Sequence, residues 1–338
     1  MIFLTGATGF VGSALLKRFI ADKATVSALV RDDAVDLPDR VKCVLGDLSS
    51  LADVVRLPSR SAPRNDSENV DCRASLALML KNSDVVVHAA ARAHIMRDEV
   101  ADPLAEYRKV NRDATLTLAR LAAESGVKRF VFVSSIKVNG EFTLPNQPFK
   151  AEVNQSPVDP YGLSKYEAEK GLLEIAQETG MEVVIIRPPL VYGPGVRANF
   201  ASMMKWMYKG VPLPLGAVHN QRSLIALDNL VSFIQLCADI EKSPKAANQV
   251  FLISDGEDVS TSELLRKVAN AYGVKSRLLP VPVGLMKLVA KLLGKGAVAD
   301  RLFGNLQVDS SKARELLGWQ PVISMDEQLA KMAEKNDA

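Results

Sequence analysis

Short apolar runs alternate with helical patterns along the first half of the chain. Runs typical of buried strands occur at Ile2–Leu4, Val26–Val30, Val41–Leu45, Val85–His88, Phe130–Val133 and Val183–Ile186. Patterns typical of helices lie between them, at Gly12–Ile20, Pro103–Ser125 and Ser164–Thr179. Buried strands separated by helices are typical of a parallel sheet that helices cover on both faces, so the sequence predicts an α/β fold.

The pattern changes after Arg187, where Pro and Gly interrupt short apolar pieces such as RPPLVYGPG, KGVPLPLG and LPVPVG. We therefore predict two domains, with residues 1–186 forming the first and residues 187–338 forming a smaller, irregular substrate-binding lobe. Segments near 221–255 are candidates to return to the first domain. The polar stretch at 58–74 is predicted to be an exposed excursion from the first domain.

Composition and charge exclude several classes of protein. The 338 residues carry a net charge of only +3, with basic residues dispersed, which argues against nucleic-acid binding. Cys43, Cys72 and Cys237 lie far apart, which favours reduced thiols and argues against a zinc site. The chain enters an apolar strand at once and has no apolar run of ~18 residues. We expect a cytoplasmic protein without a metal and without membrane insertion.

The segment VPVGLMKLVAKLLGK at 281–295 is amphipathic and carries Lys287, Lys291 and Lys295. Two interpretations are open for it. We favour a helix packed on the second lobe, and the alternative is a helix that lies on a membrane surface.

The glycine-rich stretch TGATGFVG follows the first strand and opens the first helix. Its glycines permit a tight turn and a close approach of the backbone to a pyrophosphate, which the amides of the helix N-terminus would bind. Cofactor contacts are expected at Gly6, Thr8, Gly9, Phe10, Val11 and Gly12. This stretch predicts a dinucleotide site in a Rossmann-type sheet.

A serine, a tyrosine and a lysine form the candidate catalytic group. Tyr161 and Lys165 are four residues apart, so on a helix they share one face. A neighbouring ammonium favours the phenolate of a tyrosine, and Tyr161 is therefore expected to have a lowered pKa and to act as proton donor or acceptor. Ser135 ends a predicted strand, where its hydroxyl can bind a substrate oxygen. Together with the glycine loop, these residues predict dehydrogenase chemistry.

Eight motifs along nearly the whole chain resemble, in order and spacing, those of the extended short-chain dehydrogenase/reductase family of nucleotide-sugar epimerases, dehydratases and reductases. The motifs are TGATGFVG, GDL (46–48), HAAA (88–91), VNRDAT (110–115), SSIKVNG (134–140), YGLSK (161–165), RPPLVYGPG (187–195) and RSLIALDNL (222–230). The resemblance implies a doubly wound parallel sheet in an NAD(P)-binding domain, with a smaller α/β lobe for the substrate. A homodimer through the helices at 103–125 and 164–179 is a further expectation.

The same resemblance assigns roles to individual residues. Ser135, Tyr161 and Lys165 correspond to the catalytic triad, and Asn111 corresponds to an asparagine that holds the proton relay. Further cofactor contacts are expected at Asp47, Leu48, Ala89, Ala90, Ala91 and Pro188. Substrate contacts are expected at Arg92, His94, Ser135, Asn199 and Arg222, of which Asn199 and Arg222 would hold the diphosphate of a nucleotide-sugar.

The end of the second predicted strand bears on the choice of cofactor. Members that prefer NAD usually end this strand with a carboxylate that binds the ribose hydroxyls. Val30 stands at that place and Arg31 follows, and an arginine can pair with a 2′-phosphate. We therefore expect NADP, with NAD as the alternative.

The expected reaction follows from that cofactor. An NADPH-dependent reduction of the 4-keto group of a UDP- or dTDP-linked 6-deoxy sugar, in bacterial surface polysaccharide synthesis, is the main hypothesis, and reductases that make UDP-N-acetylquinovosamine are its nearest match. The alternative is a UDP-hexose or UDP-N-acetylhexosamine 4-epimerase with tightly bound NAD, and a weaker one is a non-catalytic NADP-binding regulator. A dehydratase is disfavoured because Ile136 and Lys137 stand where dehydratases carry an acidic pair.

Overall fold

The computed structural model describes residues 1–31, 37–49, 67–92, 100–153, 155–196, 204 and 206–334. They group into two compact units. The first unit comprises Met1–Val138, Val153–Arg187 and Phe233–Phe251, and the second comprises Asn139–Glu152, Pro188–Ser232 and Leu252–Ala338. The chain therefore crosses between the units several times, and the predicted division at residue 187 into two folding domains stays a prediction.

The first unit is built on a seven-stranded sheet in the order β3-β2-β1-β4-β5-β6-β9. Its strands are β1 Ile2–Thr5, β2 Val26–Val30, β3 Lys42–Leu45, β4 Val85–His88, β5 Arg129–Val133, β6 Glu182–Arg187 and β9 Gln249–Leu252. The five pairings from β3 to β6 are all parallel. The chain runs outward from β1 to β3 and then returns to build from β4 in the other direction. The predicted α/β fold with a doubly wound sheet is confirmed.

Helices join these strands. They are α1 Phe10–Ala21, α2 Ser67–Lys81, α3 Pro103–Tyr107, α4 Ala114–Glu124, α5 Pro160–Thr179 and α6 Leu227–Ala238, the last of which begins in the second unit. One core cluster contains Leu118 and Ala122 of α4, Phe130 and Phe132 of β5, and Leu172 of α5. Full burial of side chains of this size contributes about 1.5–3 kcal/mol each, so the apolar faces of the helices hold the sheet.

Three helical segments differ from the predicted ones by more than the two-residue shift at the start of α1. Helix α2 begins at Ser67, inside the stretch predicted as an excursion, and residues 50–66 lie outside the described part. A π-helical turn at Arg108–Asp113 divides the helix predicted at 103–125. Helix α5 begins at Pro160 because Asp159 caps its first turn, with the carboxylate accepting a hydrogen bond from the Gly162 amide at 2.9 Å.

The second unit has a three-stranded sheet in the order β10-β8-β7, with strands β7 Leu190–Tyr192, β8 Arg222–Ala226 and β10 Asp258–Val259. Strand β8 pairs in parallel with β7 and antiparallel with β10. The helices of this unit are α7 Thr261–Ala271, α8 Val283–Leu292, α9 Gly296–Phe303, α10 Ser311–Leu317 and α11 Met325–Glu334. Its core includes Tyr192, Leu224, Leu265, Val268 and Leu329. Among the described residues, no helix has the length and apolar character needed to cross a bilayer.

Helix α8 agrees only in part with the favoured prediction. All its residues are described, and none of them is buried. The helix contacts α9, while Leu285, Leu288, Val289 and Leu292 remain exposed. The sequence identified the amphipathic helix, and the helix contacts the second unit, but these four apolar side chains are not covered by it.

Candidate active site

The glycine loop between β1 and α1 is closely packed against the backbone that follows β4. Gly6 has φ +74°, and a Cβ atom there would lie 2.7 Å from the Ala90 nitrogen and 2.8 Å from the Ala89 carbonyl carbon. A Cβ at Gly12 would overlap the Gly6 carbonyl oxygen. Gly9 caps α1 without a side chain. The loop thus fits a dinucleotide, because its backbone can approach a pyrophosphate with the amides of α1 directed toward it.

The other predicted cofactor residues lie at the carboxyl ends of neighbouring strands. Thr8 and Ala91 are exposed, and Phe10, Val11, Ala89 and Ala90 are half-buried. Leu48 is buried in the core cluster, whereas Asp47 is exposed and accepts a hydrogen bond from the Ser49 amide at 2.9 Å. Pro188 is buried directly after β6. Parallel strands present their carboxyl ends at one edge of the sheet, so the residues that follow β1, β3 and β4 share one edge.

Val30 and Arg31, from which the cofactor was predicted, lie at the end of β2. Val30 is buried, and its carbonyl accepts a hydrogen bond from the Gly46 amide at 2.8 Å. Arg31 follows it with an exposed side chain. Asp32 and Asp33 lie outside the described residues.

Ser135 and Tyr161 are brought together by the close approach of α5 to the turn after β5. That turn is a 3₁₀ helix at Ile136–Val138. A Cβ at Gly162 would lie 2.5 Å from the Lys137 carbonyl oxygen, so glycine is required for the first turn of α5 to reach this position. The side chains of Ser135 and Tyr161 are hydrogen-bonded to each other. The sequence pattern YGLSK contains Gly162. That this position must be a glycine follows only from the packing of α5 against the turn after β5.

Burial raises the pKa of Tyr161 to about 12, and the hydrogen bond with Ser135 acts in the opposite direction. The carboxylate of Asp159 adds to the increase, since a nearby negative charge disfavours the phenolate. This differs from the prediction that Lys165 lowers the pKa of Tyr161. The ammonium of Lys165 donates instead to the Val133 carbonyl at 3.0 Å. In this arrangement Tyr161 is a phenol at neutral pH and is set to donate a proton.

Lys165 is 1% exposed, and burial lowers its pKa to about 7. Its ammonium nitrogen lies 4.3 Å from the centroid of the Phe132 ring. Glu169, one turn further along α5, raises the pKa of Lys165 and so favours its charged form. The charge of Lys165 therefore depends on a balance between desolvation and Glu169 near neutral pH.

Asn111 lies in the π-helical turn and is fully buried. Its Oδ1 accepts a hydrogen bond from the Arg92 amide at 2.9 Å, and its Nδ2 donates to Ser164 Oγ at 3.1 Å. Ser164 Oγ in turn donates to the Tyr161 carbonyl at 2.8 Å. Asn111 thus connects the residues after β4 to the first turn of α5. Single π-helical turns are common at functional sites, and this one directs Asn111 between the two segments.

A buried polar chain continues from Asn111 to β1. The Thr115 hydroxyl donates its hydrogen to the Asn111 carbonyl at 2.9 Å, so it accepts from His88 Nε2 at 2.9 Å. His88 Nδ1 is then the acceptor for the Thr5 hydroxyl at 2.6 Å. Burial lowers the pKa of His88 to about 3, which keeps the ring neutral. His88, part of the motif HAAA, therefore links β1 to the π-helical turn.

Ser134, Glu169 and Arg187 form a buried ionic cluster that the sequence analysis missed. Arg187 Nη2 donates to Glu169 Oε2 at 2.5 Å and its Nε to Glu169 Oε1 at 2.9 Å. The Ser134 hydroxyl donates to Glu169 Oε1 at 2.5 Å. All three residues are less than 5% exposed. Buried charges need such partners, so a glutamate one turn after the lysine of YGLSK was the available sequence signal.

Three of the five predicted substrate residues are described, namely Ser135, whose position is given above, Arg92 and Arg222. The Arg92 guanidinium carbon lies 5.5 Å from the centroid of the Tyr107 ring, and that ring makes an edge contact with Tyr161 at 5.8 Å. In the second unit, Arg222 Nη1 donates to the carbonyls of Arg301 at 2.6 Å and Gly304 at 3.1 Å. Burial lowers the pKa of Arg222. His94 and Asn199 lie outside the described residues.

Comparison with known proteins identifies relatives over nearly the whole chain. The model of the family described as "NAD dependent epimerase/dehydratase family" matches residues 2–251. The chain is 49% identical over 328 residues to a UDP-glucose 4-epimerase of Vibrio cholerae, covering 96% of this chain and 92% of the relative. An N-acetyl-alpha-D-glucosaminyl-diphospho-ditrans,octacis-undecaprenol 4-epimerase of Escherichia coli is 28% identical, with 87% and 81% covered.

Solved structures share the fold. The UDP-glucose 4-epimerase of Thermotoga maritima, solved with UDP-glucose, has a TM-score of 0.72 at 22% identity and covers 99% of this chain and 98% of its own. The UDP-glucose 4-epimerase of Thermus thermophilus, solved with NAD, has a TM-score of 0.73 at 20% identity, with 98% and 97% covered. At these identities the likeness shows the fold alone.

The predicted NADPH-dependent reduction of a 4-keto sugar is wrong. The 49% identity to a UDP-glucose 4-epimerase contradicts it and favours the alternative of a 4-epimerase. The physical reason is that both reactions interconvert a sugar hydroxyl and a carbonyl, so both use the same serine, tyrosine and lysine. The two reactions differ in whether the nucleotide leaves after each turnover, and a single loop arginine does not determine that.

Proposed function

This chain belongs to the NAD dependent epimerase/dehydratase family, and from that premise we propose that it is a UDP-sugar 4-epimerase, with UDP-glucose and UDP-galactose as its substrate pair. The observation that carries the proposal is the 49% identity to the Vibrio cholerae UDP-glucose 4-epimerase over 96% of this chain. A 4-epimerase converts one sugar into the other without net oxidation, through the corresponding 4-keto sugar.

We propose that the cofactor is NAD and that it stays bound. The glycine loop at 6–12 would hold the pyrophosphate, and Ala89, Ala90 and Ala91 would lie along the nucleotide. When bound, the nicotinamide supplies the redox chemistry, taking a hydride from the sugar carbon and returning it. Because the reaction needs no net reductant, it does not require NADPH, and the proposal departs from the cofactor expected from Val30 and Arg31. The exposed Arg31 is then a residue of the adenosine side without a 2′-phosphate to bind.

The side chains of the protein would accept one proton from the substrate and later return it. Oxidation of the sugar hydroxyl releases a proton, and its re-formation consumes one. Tyr161 would take up this proton at its phenolic oxygen and later return it, while Ser135 orients the sugar oxygen. The pKa of Tyr161 is about 12, so uptake requires a nearby positive charge to favour the phenolate. Lys165, four residues along the same helix, would supply that charge if its ammonium, which here donates to the Val133 carbonyl, turned toward the phenol during the reaction.

The remaining residues would position these groups and the substrate. Asn111 holds the first turn of α5 through Ser164, so it would fix the orientation of Tyr161. Arg222 donates to two carbonyls, and a guanidinium has further donors for the diphosphate of the substrate. Asn199, Arg92 and His94 are proposed as further substrate contacts from the family resemblance.

The test is conversion of UDP-galactose by the purified protein without added nucleotide, followed by proton NMR of the anomeric signals. Appearance of UDP-glucose, together with NAD released from the heat-denatured protein, supports the proposal. Consumption of NADPH in proportion to product, or a purified protein that acts only when NADP is added, contradicts it. UDP-N-acetylglucosamine is assayed in parallel, because the family includes epimerases for both sugars.

A further inference from the structure

Helix α8 presents an apolar surface that the second unit does not cover. Leu285, Leu288, Val289 and Leu292 are 53%, 56%, 46% and 79% exposed, and Leu293 directly after the helix is 67% exposed. The four helical positions follow an i, i+3, i+4, i+7 spacing, so they form one face, which we call the outer face of α8. Soluble proteins expose leucines singly far more often than in such a row, and a contiguous row indicates a binding surface.

The packing of α8 leaves this face outward. Val283, Met286 and Ala290 are half-buried and lie on another side of the helix, and α8 contacts α9. All residues of α8 are described. The helix therefore packs on the second unit through residues other than those of its outer face.

The sequence that contains α8 is rich in basic residues. Between Glu263 and Asp300 the chain carries seven basic residues and no acidic residue. Lys287 and Lys291 lie in the helix outside the outer face, and Lys295 follows the helix. Lys287 makes an exposed ion pair with Asp300 at 3.1 Å. An apolar face beside lysines that outnumber the nearby carboxylate of Asp300 is complementary to an apolar partner that carries negative charge.

We propose that the outer face of α8 docks the protein on the surface of a bilayer that contains anionic lipids. The ten residues of α8 span about 15 Å, which suits a helix lying in the headgroup region. The leucines would enter the acyl boundary, and the lysines would remain among the headgroups. A second copy of the chain fits this face less well, because a two-fold contact would bring two basic regions together.

The test measures co-sedimentation of the full chain with vesicles of equal parts phosphatidylcholine and phosphatidylglycerol, and with pure phosphatidylcholine vesicles. The wild type is expected to bind the anionic vesicles at least about tenfold more tightly, because each basic residue near an anionic surface contributes roughly a fivefold gain. Replacing Lys287, Lys291 and Lys295 by Gln is expected to weaken that binding on the order of 100-fold. Equal binding to both vesicle types, or none to the anionic ones, overturns the proposal.

The double variant L288E/L292E is expected to abolish binding, since two carboxylates would enter the acyl boundary. The matched control is L78E/L144E, which alters two leucines that are each 61% exposed elsewhere. Unchanged binding by L288E/L292E overturns the proposal. So does sedimentation analysis in which the wild type is a dimer and this variant a monomer, because the outer face would then be an interface between copies. UDP-sugar conversion in solution by both variants shows that neither has lost its fold.

Discussion

Two arginines are buried in the sheet of the first unit. One lies where the parallel strands begin, which we call the amino edge, and the other lies where they end, which we call the carboxyl edge. Arg129 begins β5 and donates to Glu182, to the Cys237 carbonyl at 2.9 Å and to Ser243 Oγ at 2.8 Å. Arg187 ends β6 and donates to Glu169 through both Nε and Nη2. Glu182 is 33% exposed, whereas Glu169 is 3% exposed at its side chain. The two arginines are equally buried, but one is held largely by neutral acceptors and the other by a buried carboxylate.

The difference shows how the two edges of the sheet are used. At the amino edge, Arg129 joins segments that carry none of the candidate site residues. At the carboxyl edge, the partner of Arg187 lies one turn after Lys165 on α5 and raises the pKa of that lysine. In open parallel sheets, ligands bind beyond the carboxyl ends of the strands. A residue of the same type and burial therefore supports stability at one edge and the candidate active site at the other.

The largest expected effect is the loss of turnover when Tyr161, at the carboxyl edge, is replaced. Replacing Tyr161 by Phe should lower UDP-galactose conversion roughly 100- to 10,000-fold, the usual range for a lost acid–base group, with NAD still bound. The matched control is Tyr166→Phe on the same helix, which should leave turnover within about twofold of wild type. Comparable losses in both variants would remove Tyr161 from the proposed mechanism.

Next in size is the loss of stability when the carboxylate that binds each arginine is replaced by a neutral amide. Glu169→Gln should lower the free energy of unfolding by about 3 kcal/mol or more, because it removes the buried carboxylate that two nitrogens of the Arg187 guanidinium contact. Glu182→Gln should cost less than about 1 kcal/mol, since that carboxylate is partly solvated and Arg129 keeps three other acceptors. Urea denaturation measures both. Equal costs would mean that the two edges do not differ in the way described.

A smaller effect concerns His88, at the carboxyl end of β4. Its pKa is about 3 in the folded protein and 6.5 ordinarily, so between these values the unfolded chain binds a proton that the folded chain does not. The stability from burying the neutral ring is present above pH 6.5 and is lost as the pH falls toward 3. This contribution amounts to a loss of about 2 kcal/mol between pH 7 and pH 5.

Urea denaturation at both pH values measures that loss. His88→Gln should remove most of the dependence, whereas the exposed control His219→Gln should keep it. If His88→Gln retained the full dependence, the ring would not be the buried neutral group that joins β1 to the π-helical turn.

The smallest expected effect is at Arg31, also at the carboxyl edge but exposed. With NAD as cofactor, Arg31→Ala should change NAD affinity by less than about threefold, because NAD has no 2′-phosphate for a guanidinium to bind. Isothermal titration of the nucleotide-free protein with NAD and NADP measures this. A 10- to 100-fold loss confined to NADP, from a wild type that prefers NADP, would restore the original cofactor prediction.

Local patterns predicted much of the candidate site. Tyr161 and Lys165 were placed on one helix by their spacing, and the glycine loop was placed after the first strand by its position. The pKa of Tyr161 was predicted in the wrong direction, because its value depends on the burial of the hydroxyl and on Asp159. The Glu169–Arg187 pair was missed, because its members are 18 residues apart and meet only when α5 packs beside the end of β6.

The sequence by itself determined the α/β alternation, the glycine loop, the positions of the serine, tyrosine and lysine, and the amphipathic character of 281–295. These are short-range properties, since periodicity and spacing depend on neighbouring residues alone. Only the tertiary structure decided which charges are buried, where Lys165 directs its ammonium and which face of α8 stays uncovered. Burial, electrostatics and contact between distant segments depend on how helices pack on the sheet, and no local pattern contains that information.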